Sequence, residues 1–535
     1  MFIRALLLIA VLSAAVFAAV FTGCSAGGED NMWFEHSSKK ILRDFTDPEG
    51  RAEYRLYLAK NEYEGCQVAV NYPVRREALT VSLTTDGSEG ITAEVYREHY
   101  LPVTMSAPFL NVDGFVDGTY KEYPDALYPH TEPFSLLAGT TEPLYILVHA
   151  SKDAKAGDHD IKVLVKDGAE TVSEGVLRVH VWDFALDDTP AMAAVSDLSA
   201  GSIASKSGAE GEEVQRLYNK YYDFMLEHHI SPYSLPYDVL DDRADAYMSD
   251  PRVTGFRVSY GNDDYLRAVG EKLSSNPEWM KKAYFYFLDE PSTESSYMEL
   301  VEKSAHLLEI IPEVRIVSPF FVDPDMYTGQ DAVEYCFGSV NIWCAKLFCF
   351  DSDNIYSEAQ RARLAPLRDR LIQRRAMGED VWTYVCWEPG EPYLNLYVNM
   401  EGIQHRLIFW QNYLLGANGF LYWSSNYWSK IKDPWSDMAT VNWLSDYVYG
   451  DGSLIYNGNK VGVDGACSSL RLELVRDGID DYTYMAMLEE RGVKREAIID
   501  LVSKITPSLT DYTRDDELLY RARIILGETL EKTFG

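Results

Sequence analysis

Two adjacent acids, Asp289 and Glu290, are the side chains in this sequence best placed for chemistry. They directly follow the apolar run Ala283-Tyr-Phe-Tyr-Phe-Leu288, and Pro291 comes after them. Two carboxyl groups at short range do not ionise independently, so one of them is expected to keep its proton to a higher pH than the other. A protonated acid beside a carboxylate is the pair that proton donation with charge stabilisation requires.

The run before the acids is apolar on both faces, which is typical of a parallel strand covered by helices. Pro291 cannot continue a strand ladder and restricts Glu290 to extended geometry, so we expect both acids on a stiff corner where the strand ends. The alternative is that the pair only helps to start the next helix, since acids favour helix N-termini. Position alone leaves both interpretations open.

Aromatic side chains are concentrated at or just past the ends of the last three predicted strands. The rings are Trp343, Trp382, Tyr384, Trp387, Tyr422, Trp423 and Trp428. Sugars present C–H faces that stack on such rings, so a cluster around one opening predicts a glycan substrate. Trp382 and Tyr422 lie within strands and are expected to be core residues instead. Trp410 and Tyr413 lie on a predicted helix and are expected to pack.

Other polar residues stand near predicted strand ends. Asp197 ends the first strand and Tyr260 follows the third, so either side chain is a candidate for binding sugar hydroxyls, with a surface role as the alternative. His228 and His229 close the first long helix, where a histidine commonly caps the last carbonyls. We therefore favour capping over a functional role for the two histidines.

Other classes of site find no support in the sequence. There is no glycine-rich phosphate loop after a strand, no H-E-x-x-H and no G-x-S-x-G. None of the 7 cysteines forms a C-x-x-C pair, which argues against a zinc site. We therefore expect neither a metal nor a cofactor. Disulfides and buried free thiols remain alternative states of the later cysteines.

The elements that position the acids are predicted from periodicity. After Asp187-Asp-Thr-Pro190, short apolar runs alternate with helical stretches, as in a (β/α)8 barrel, whose active site lies at the carboxyl ends of the strands. The predicted strands lie at 193–198, 230–235, 254–259, 283–288, 314–318, 339–343, 381–385 and 419–423. The predicted helices between them include 212–228, 294–311, 357–377 and 400–415.

The barrel is assigned to residues 188–450, and other regions are predicted before and after it. Residues 40–187 contain short β-rich runs separated by turns, which predict a β-sandwich. Residues 25–39 are expected to be a linker. Residues 451–535 are expected to form a loop and helices that pack on the barrel, with Arg471, Arg476, Asp480 and Asp481 in structural ion pairs.

The first 24 residues indicate the compartment. Arg4 precedes an apolar run, residues 5–21, which ends in Thr22-Gly23-Cys24. This pattern predicts a lipoprotein signal peptide, cleaved before Cys24 so that the cysteine carries lipid and anchors the chain in a bacterial envelope, facing the periplasm or exterior. A plain secretory signal and a single transmembrane anchor are the alternatives. No later stretch has the roughly eighteen apolar residues that a membrane span needs.

Composition limits the partners. At 47% hydrophobic and 13% aromatic residues, a chain of 535 residues can bury at least two cores. Its formal net charge of -34 repels phosphate backbones, so nucleic acid is not expected as a partner. The same charge favours neutral or cationic substrates over sulfated or uronic polymers. The oligomeric state stays open.

Several segments, spread over nearly the whole chain after the leader, carry a resemblance to a known family. They are Leu58-Ala-Lys-Asn-Glu-Tyr-Glu-Gly-Cys-Gln67, Tyr123-Pro-Asp-Ala-Leu127, Phe287-Leu-Asp-Glu-Pro291, Gly419-Phe-Leu-Tyr-Trp423 with Asn426 and Trp428, and Gly450-Asp-Gly-Ser-Leu454 leading to Arg471-Leu-Glu-Leu-Val-Arg-Asp-Gly-Ile-Asp-Asp-Tyr482. In this order they resemble glycoside hydrolase family 123, whose members are β-N-acetylgalactosaminidases, and its wider group of uncharacterised relatives. Asn457 stands where the family pattern is expected to have a proline.

The resemblance implies a retaining, substrate-assisted mechanism, in which the sugar's own 2-acetamido oxygen attacks the anomeric carbon and no protein nucleophile is needed. Carried onto this chain, Glu290 protonates the leaving oxygen and later activates water, while Asp289 orients the acetamido N–H. The expected substrate contacts are Trp343, Tyr384, Trp387, Trp423, Asn426, Trp428, Asp197 and Tyr260.

Three functions are consistent with these observations. The first is removal of terminal β-linked N-acetylhexosamine, above all N-acetylgalactosamine, from glycans outside the cytoplasm. The second is a glycosidase with another sugar specificity, because family likeness does not fix the pocket. The third is a surface glycan-binding lipoprotein with an inactive barrel, against which the presence of both Asp289 and Glu290 counts.

Overall fold

The computed structural model of the chain describes residues 31–47, 50–85, 89–103, 121–320, 332–351, 358–441 and 447–534. The predicted leader, with its lipidation residue Cys24, lies outside these residues. Within them, no helix has both the length and the apolar character needed to cross a bilayer. The six cysteines that follow Cys24 are buried free thiols.

The N-terminal domain is a β-sandwich, as predicted. Its described strands are β1 (Met32–His36), β2 (Glu53–Lys60), β3 (Glu62–Val70), β4 (Arg76–Thr84), β5 (Ile91–Val103), β6 (Lys121–Pro129), β7 (Phe134–Leu136), β8 (Glu142–Ala150), β9 (Gly157–Asp167) and β10 (Glu170–Ala185). One 5-stranded sheet has the order β1-β3-β8-β5-β6 and the other has the order β2-β10-β9-β4-β7. Neighbouring strands are antiparallel except β2 and β10, which are parallel.

The sandwich core follows from alternation along the strands. In β2, Tyr54, Leu56 and Leu58 are buried, whereas Glu53 and Arg55 between them face solvent. Side chains that alternate in this way place one face of each sheet on the core. The buried aliphatic residues of both sheets form one continuous cluster between them.

The assignment of residues 25–39 to a linker was wrong for its described part. Residues 32–36 form β1, which pairs antiparallel with β3 at the edge of a sheet. Met32 and Phe34 are buried in the sandwich core, and Trp33 packs with Ile41 and Ala69 in a smaller cluster. The segment therefore pairs because it can bury its large apolar side chains.

The central domain is a parallel barrel of eight short strands, each near a predicted position. They are β11 (Ala193–Ser196), β12 (Ser231–Pro232), β13 (Phe256–Val258), β14 (Ala283–Phe285), β15 (Arg315–Phe320), β16 (Ile342–Lys346), β17 (Asp380–Val385) and β18 (Gly419–Tyr422). The order around the sheet is β12-β11-β18-β17-β16-β15-β14-β13. Beside β12 and β13, the backbone N–H of Arg257 donates to the carbonyl of Tyr233 at 2.7 Å, which connects the two ends of this sheet.

Helices cover the outside of the barrel and continue into the C-terminal region. The barrel helices are α1 (Ala200–Ser207), α2 (Glu212–Glu227), α3 (Ala244–Ser249), α4 (Asp263–Ser274), α5 (Pro277–Lys282), α6 (Glu294–Ile310), α7 (Ala332–Tyr335), α8 (Glu358–Ala376) and α9 (Gly402–Leu415). Four short strands follow, β19 (Ala439–Val441), β20 (Tyr447–Tyr449), β21 (Tyr456–Asn457) and β22 (Ala466–Cys467). The chain ends in α10 (Leu470–Glu490), α11 (Arg495–Ile505) and α12 (Asp516–Phe534).

Buried charges join the sandwich to the barrel. Arg406 of α9 donates to both carboxylate oxygens of Glu64 in β3, at 2.9 and 3.1 Å, and to Asp481 of α10, at 2.7 and 2.9 Å. Arg523 of α12 joins Asp481 to Glu62, also in β3. A buried charge is tolerated only when it is paired, so these contacts fix the sandwich against the barrel and its C-terminal helices.

The segment 471–481 takes part in further buried ion pairs, which confirms its predicted structural role. Arg471 donates to both oxygens of Asp125 in β6, at 2.8 Å each. The other pairs are Arg476–Glu473, His228–Glu473 and His229–Asp480. The two histidines thus contact carboxylates of α10 and lie away from the predicted pair of acids.

Candidate active site

Asp289 and Glu290 stand on the turn between β14 and α6. The strand ends at Phe285, three residues earlier than predicted, and residues 286–289 continue without sheet pairing. Helix α6 begins only at Glu294, and its N-cap Thr293 accepts a hydrogen bond from the Ser296 N–H at 3.2 Å. The two acids therefore lie outside the helix, which removes the alternative that they serve only to start it.

The backbone of Glu290 differs from the prediction. Its φ is 40°, in the left-handed region, and not the extended value expected before Pro291. This conformation costs a non-glycine residue on the order of 1–3 kcal/mol and persists where surrounding contacts hold it. At Glu290 those contacts come from the side chain, which reaches residues of β16 and β17. The turn thus directs the carboxylate back across the barrel opening.

The Asp289 carboxyl group is accessible to solvent and accepts a hydrogen bond from the Tyr286 hydroxyl at 2.6 Å. Desolvation raises the pKa of Asp289, the Tyr286 hydrogen bond lowers it, and the nearby charge of Glu290 raises it. The resulting pKa lies above that of an ordinary aspartate. The two acids therefore interact electrostatically, as their adjacency predicted.

Glu290 is anchored through one oxygen. Its Oε1 accepts a hydrogen bond from the Tyr384 hydroxyl at 2.6 Å and lies 3.5 Å from Nζ of Lys346. Its side chain keeps 31% of its surface exposed. Among the described residues, none forms a hydrogen bond to Oε2 of Glu290. One oxygen is thus held by the protein and the other faces the opening.

Lys346 is a buried cation at the end of β16. Its side chain is 1% exposed, and Nζ lies 2.5 Å from Oε1 of Glu388. Burial alone would lower the pKa of Lys346, but Cys386 and the carboxylates of Glu388 and Glu290 outweigh burial and raise it. The aromatic rings of Tyr384 and Trp387 stand 5.5 and 5.8 Å from the ammonium. Lys346 therefore remains charged beside the carboxylates of Glu290 and Glu388.

Trp423 lies just past β18, and the loop that contains Asp451 and Gly452 holds its ring in place. Its indole N–H donates to the carboxyl of Asp451 at 2.8 Å. Asp451 is fully buried, and desolvation raises its pKa to about 7, although the hydrogen bond from Trp423 opposes that shift. Gly452 has φ 72°, and a Cβ at this position would lie 2.2 Å from the Trp423 ring. The loop thus packs closely against this ring and fixes its orientation.

Trp387, Trp423 and Tyr384 lie together in the barrel interior, toward the carboxyl ends of the strands. Both tryptophans are partly buried and pack on the interior cluster that contains Tyr384 and is also contacted by Tyr286. The Trp387 carbonyl accepts a hydrogen bond from the Tyr397 hydroxyl at 2.6 Å. The structure therefore brings three of the predicted aromatic contacts to the end of the barrel where the two acids stand. We call this end the barrel mouth.

Three predicted substrate contacts lie elsewhere. Trp343 is 1% exposed, packs between the strands and the helices, and donates its indole N–H to Glu379. Trp428 is fully buried and meets the ring of Tyr221 of α2. Asn426 is fully buried, and its amide bonds the backbone N–H and carbonyl of Ser199.

These placements correct the prediction for Trp343, Trp428 and Asn426. Side chains alternate between the two faces of a strand. Trp343, the second residue of β16, points outward toward the helices, and the residues on either side of it point into the barrel. The chain after β18 folds back against α1 and α2, where Trp428 fills core space and Asn426 satisfies loop backbone groups.

Asp197 and Tyr260 are placed at the carboxyl ends of β11 and β13, as predicted. Desolvation raises the pKa of Asp197, and Arg257 opposes this shift. The ring of Tyr260 packs at 5.2 Å from that of Phe287. Neither residue forms a hydrogen bond to Asp289 or Glu290, so both remain candidates for binding more distant sugar hydroxyls.

The sequence prediction missed four polar residues of the mouth: Tyr286, Lys346, Glu388 and Asp451. Asp451 lies in the segment Gly450-Asp-Gly-Ser-Leu454, which contributed to the family resemblance. The prediction used this segment but assigned no role to Asp451. Lys346 carried a usable signal, because a lysine that ends an apolar strand beside the predicted site requires a partner. Tyr286 and Glu388 carried no signal that distinguishes them from surface polar residues.

The assembled mouth has the components of acid–base chemistry on a neutral polar ligand. Glu290 offers a free oxygen, Asp289 is a second carboxyl on the adjacent residue, and Trp387 and Trp423 supply ring surface. Within the described residues, no cluster of histidine, cysteine and acidic side chains suits a metal ion. An eight-stranded parallel barrel with such a site at the carboxyl ends of its strands is the architecture of barrel glycosidases.

Comparison with known proteins agrees with this class. The pattern of the glycoside hydrolase 123 catalytic domain matches residues 224–488, which contain both acids and strands β12 to β18. No curated protein matches the chain in sequence. The protein is a glycoside hydrolase, and the fold class predicted from its sequence is confirmed.

Among solved structures, a family 123 glycoside hydrolase from Clostridium perfringens, studied for glycolipid glycan hydrolysis, is similar over 94% of this chain and 97% of its own, at 12% identity and a TM-score of 0.64. A family 39 glycoside hydrolase from Bacteroides cellulosilyticus WH2 covers 75% of this chain and 80% of its own at 8% identity, with a TM-score of only 0.32. Residues 224–488 are thus identified as a glycoside hydrolase family 123 catalytic domain.

Proposed function

We propose that this protein removes terminal β-linked N-acetylhexosamine, with N-acetylgalactosamine as the preferred sugar, by retaining, substrate-assisted hydrolysis. The observation that carries the proposal is the pair at the mouth. Glu290 is held through Oε1 and keeps Oε2 for the substrate, and Asp289 stands beside it on the same turn. The use of the sugar's own acetamido oxygen as the nucleophile is what the family resemblance implies.

In the first step, Glu290 donates its proton from Oε2 to the glycosidic oxygen. The bond between the anomeric carbon and this oxygen breaks, the aglycone leaves as an alcohol, and the 2-acetamido oxygen bonds to the anomeric carbon. The positive charge of the resulting oxazolinium ring spreads to its nitrogen. Asp289 accepts a hydrogen bond from this N–H, and its negative charge stabilises the ring.

In the second step, the Glu290 carboxylate takes a proton from water as the water oxygen attacks the anomeric carbon. The bond between this carbon and the acetamido oxygen breaks, which restores the acetamide and leaves the sugar with its original β-configuration. Two inversions therefore give retention without a covalent link to the protein. Glu290 ends the cycle protonated, ready for the next substrate.

The charges and rings of the site favour a neutral hexosamine. Asp289, Glu290, Glu388 and Asp451 are acidic, whereas Lys346 is buried and already paired with Glu388. The acidic groups of the mouth would therefore repel an anionic sugar. Trp387 and Trp423 offer ring faces for stacking against the less polar side of the sugar.

We further propose that the protein acts outside the cytoplasm on glycolipid or glycoprotein glycans. This part depends on the predicted cleavage before Cys24 and lipid attachment there. A lipid anchor would hold the mouth near a membrane surface, where glycolipid headgroups are displayed. The family 123 relative from Clostridium perfringens is associated with glycolipid glycan hydrolysis, which supports this substrate class as the first to test.

The test is a comparison of aryl β-N-acetylgalactosaminide with aryl β-galactoside at equal concentrations. The proposal predicts turnover of the acetamido sugar alone, retention of configuration in the first product, and inhibition by a thiazoline analogue of the cyclic intermediate. Equal turnover of both sugars would rule out assistance by the acetamido group and would favour a glycosidase of another specificity. Binding of the acetamido sugar without turnover of any aryl glycoside would favour a glycan-binding protein.

A further inference from the structure

Within the part of the chain that the structure describes, Lys346 lies between two carboxylates, only one of which belongs to the predicted catalytic pair. Its Nζ is 3.5 Å from Oε1 of Glu290 and 2.5 Å from Oε1 of Glu388. The lysine side chain is 1% exposed, so water screens these charges only weakly. Any change in the charge of one member of this group is therefore felt by the other two.

A buried ammonium beside a general acid poses a chemical difficulty. A positive charge favours the carboxylate over the protonated acid, and Glu290 must carry a proton in the first step. Glu388 reduces this effect because its negative charge lies closer to Lys346 than Glu290 does. The negative charge of Glu388 thus offsets part of the positive potential that Lys346 produces at Glu290.

The geometry also fixes which oxygen of Glu290 reacts. The Tyr384 hydroxyl and the Lys346 ammonium both approach Oε1. Lys346 and Tyr384 are partners in the register between β16 and β17, so both donors come from adjacent strands at the same level of the barrel. The proton is therefore carried on Oε2, the oxygen without a protein partner among the described residues.

We propose that the Lys346–Glu388 ion pair positions Glu290 and controls the pH at which it carries its proton. This inference rests on the proposed function, in which Glu290 is the general acid and base. Lys346 and Glu388 act through Glu290 and need not touch the sugar, so they are positioning residues. A buried cation that is offset by a second carboxylate suits a group that must give a proton in one step and take one in the next.

Other titratable groups face Glu290 and stay in place when the pair is changed. They are Asp289 and Tyr286 from the end of β14, Cys344 and Cys349 from β16 and the turn after it, and Tyr384 and Cys386 from β17 and its extension. Burial raises the pKa of Cys344 and Tyr384 far above neutrality, so these two groups stay neutral in the working range. A shift produced by changing Lys346 or Glu388 can then be assigned to the pair.

The two members of the pair predict shifts of opposite sign. In Glu388→Gln, the lysine charge is no longer offset, so Glu290 loses its proton at lower pH and the basic limb of the kcat/KM profile moves down. In Lys346→Met, the cation is gone and the Glu388 carboxylate remains, so Glu290 keeps its proton to higher pH and the basic limb moves up. Each shift is expected to be about one pH unit.

The experiment is the pH dependence of kcat/KM on an aryl β-N-acetylgalactosaminide for the wild type, Glu388→Gln and Lys346→Met. Lys272→Met is the matched control, because Lys272 also pairs with an acid but lies on α4, away from the mouth. If the pair had a purely structural role, the substitutions would lower kcat/KM at all pH values and leave both limbs of its pH profile in place. Shifts in the same direction, or none, would overturn the inference.

A second measurement does not depend on turnover. Titration of ¹³C-labelled glutamate carboxyl signals, with Glu290 assigned from the spectrum of Glu290→Gln, should show the same opposite shifts in the two variants. If the wild type hydrolyses no acetamido sugar but the titration shifts are opposite, the proposed function fails and the electrostatic control of Glu290 stands. If turnover is present and the titration of Glu290 does not move, only this inference fails.

Discussion

Tyr384 and Glu290 are joined by a 2.6 Å hydrogen bond from the tyrosine hydroxyl to Oε1 of the acid. Tyr384 belongs to β17, and Glu290 follows β14, so two strands of the barrel sheet separate them and the bond crosses the mouth. Burial and the nearby Glu290 carboxylate raise the pKa of Tyr384 far above neutrality, so its hydroxyl stays protonated and can donate. Glu290 is thereby held in a strained backbone conformation from the far side of the barrel.

Removal of this hydroxyl should reduce catalysis more than binding. A hydrogen bond to a charged group contributes about 1.5–3 kcal/mol, so Tyr384→Phe is expected to lower kcat roughly 10- to 100-fold with a smaller change in KM. Tyr413→Phe is the control, because the Tyr413 hydroxyl bonds Glu489 far from the mouth. Steady-state kinetics that show equal losses in both variants would contradict a positioning role for Tyr384.

The acidic limb of the pH profile should respond to Tyr286. Desolvation and the charge of Glu290 raise the pKa of Asp289, whereas the hydrogen bond from Tyr286 lowers it. Tyr286→Phe removes the lowering contribution, so Asp289 becomes protonated at a higher pH as the solution is acidified. The acidic limb of kcat/KM is expected to move to higher pH while the basic limb stays in place. A limb that moves to lower pH, or does not move, would show that Asp289 ionisation does not govern it.

Trp423 and Trp343 were both predicted to contact the sugar, but only Trp423 lies at the barrel mouth. Substitutions of these two residues should therefore have different effects. Trp423→Leu removes a ring at the mouth, and loss of stacking worth about 0.5–1.5 kcal/mol should raise KM roughly 2- to 10-fold. Trp343→Leu creates a defect in the layer between strands and helices, so it should lower the urea midpoint and leave KM unchanged. Kinetics and urea unfolding on both variants test this contrast, and a raised KM in Trp343→Leu would refute it.

The buried charges between the domains should be needed for stability. Arg406 is fully buried and bonds Glu64 and Asp481, so Arg406→Met removes one of the two arginine partners of each buried carboxylate. Such a loss costs about 3–5 kcal/mol of unfolding free energy. The control is Arg243→Met, because Arg243 pairs with Asp241 on the surface and should leave the urea midpoint nearly unchanged. Equal midpoints for the two variants would contradict the proposed joining of the domains.

Much of the architecture could be predicted from the sequence, because buried parallel strands and amphipathic helices have distinct periods. All eight barrel strands lie near the predicted positions, and Asp289 and Glu290 follow β14 as expected. The prediction failed at β1, where a short apolar segment near the leader was mistaken for a linker. A single edge strand lacks the repeated pattern that identifies a series of strands.

The site could be predicted only in part, because strand boundaries decide which side chains face inward. Placing the strand at 339–343 put Trp343 at its end, whereas β16 is Ile342–Lys346 and Trp343 lies near its start. The same three-residue shift hid Lys346, which has the opposite parity to Trp343 and points toward Glu290. The long loop after β18 had no period at all, so the burial of Asn426 and Trp428 could not be predicted.

The most direct test of the central claim is the effect of Glu290→Gln on aglycones of different leaving ability. The value of kcat/KM reports steps up to cleavage of the glycosidic bond, so it isolates the role of Glu290 as proton donor. We expect a loss of about 100-fold or more for methylumbelliferyl β-N-acetylgalactosaminide and a much smaller loss for the dinitrophenyl glycoside, whose aglycone leaves without a proton. An equal loss for both substrates, or none, would contradict the assignment of Glu290 as the acid of this barrel.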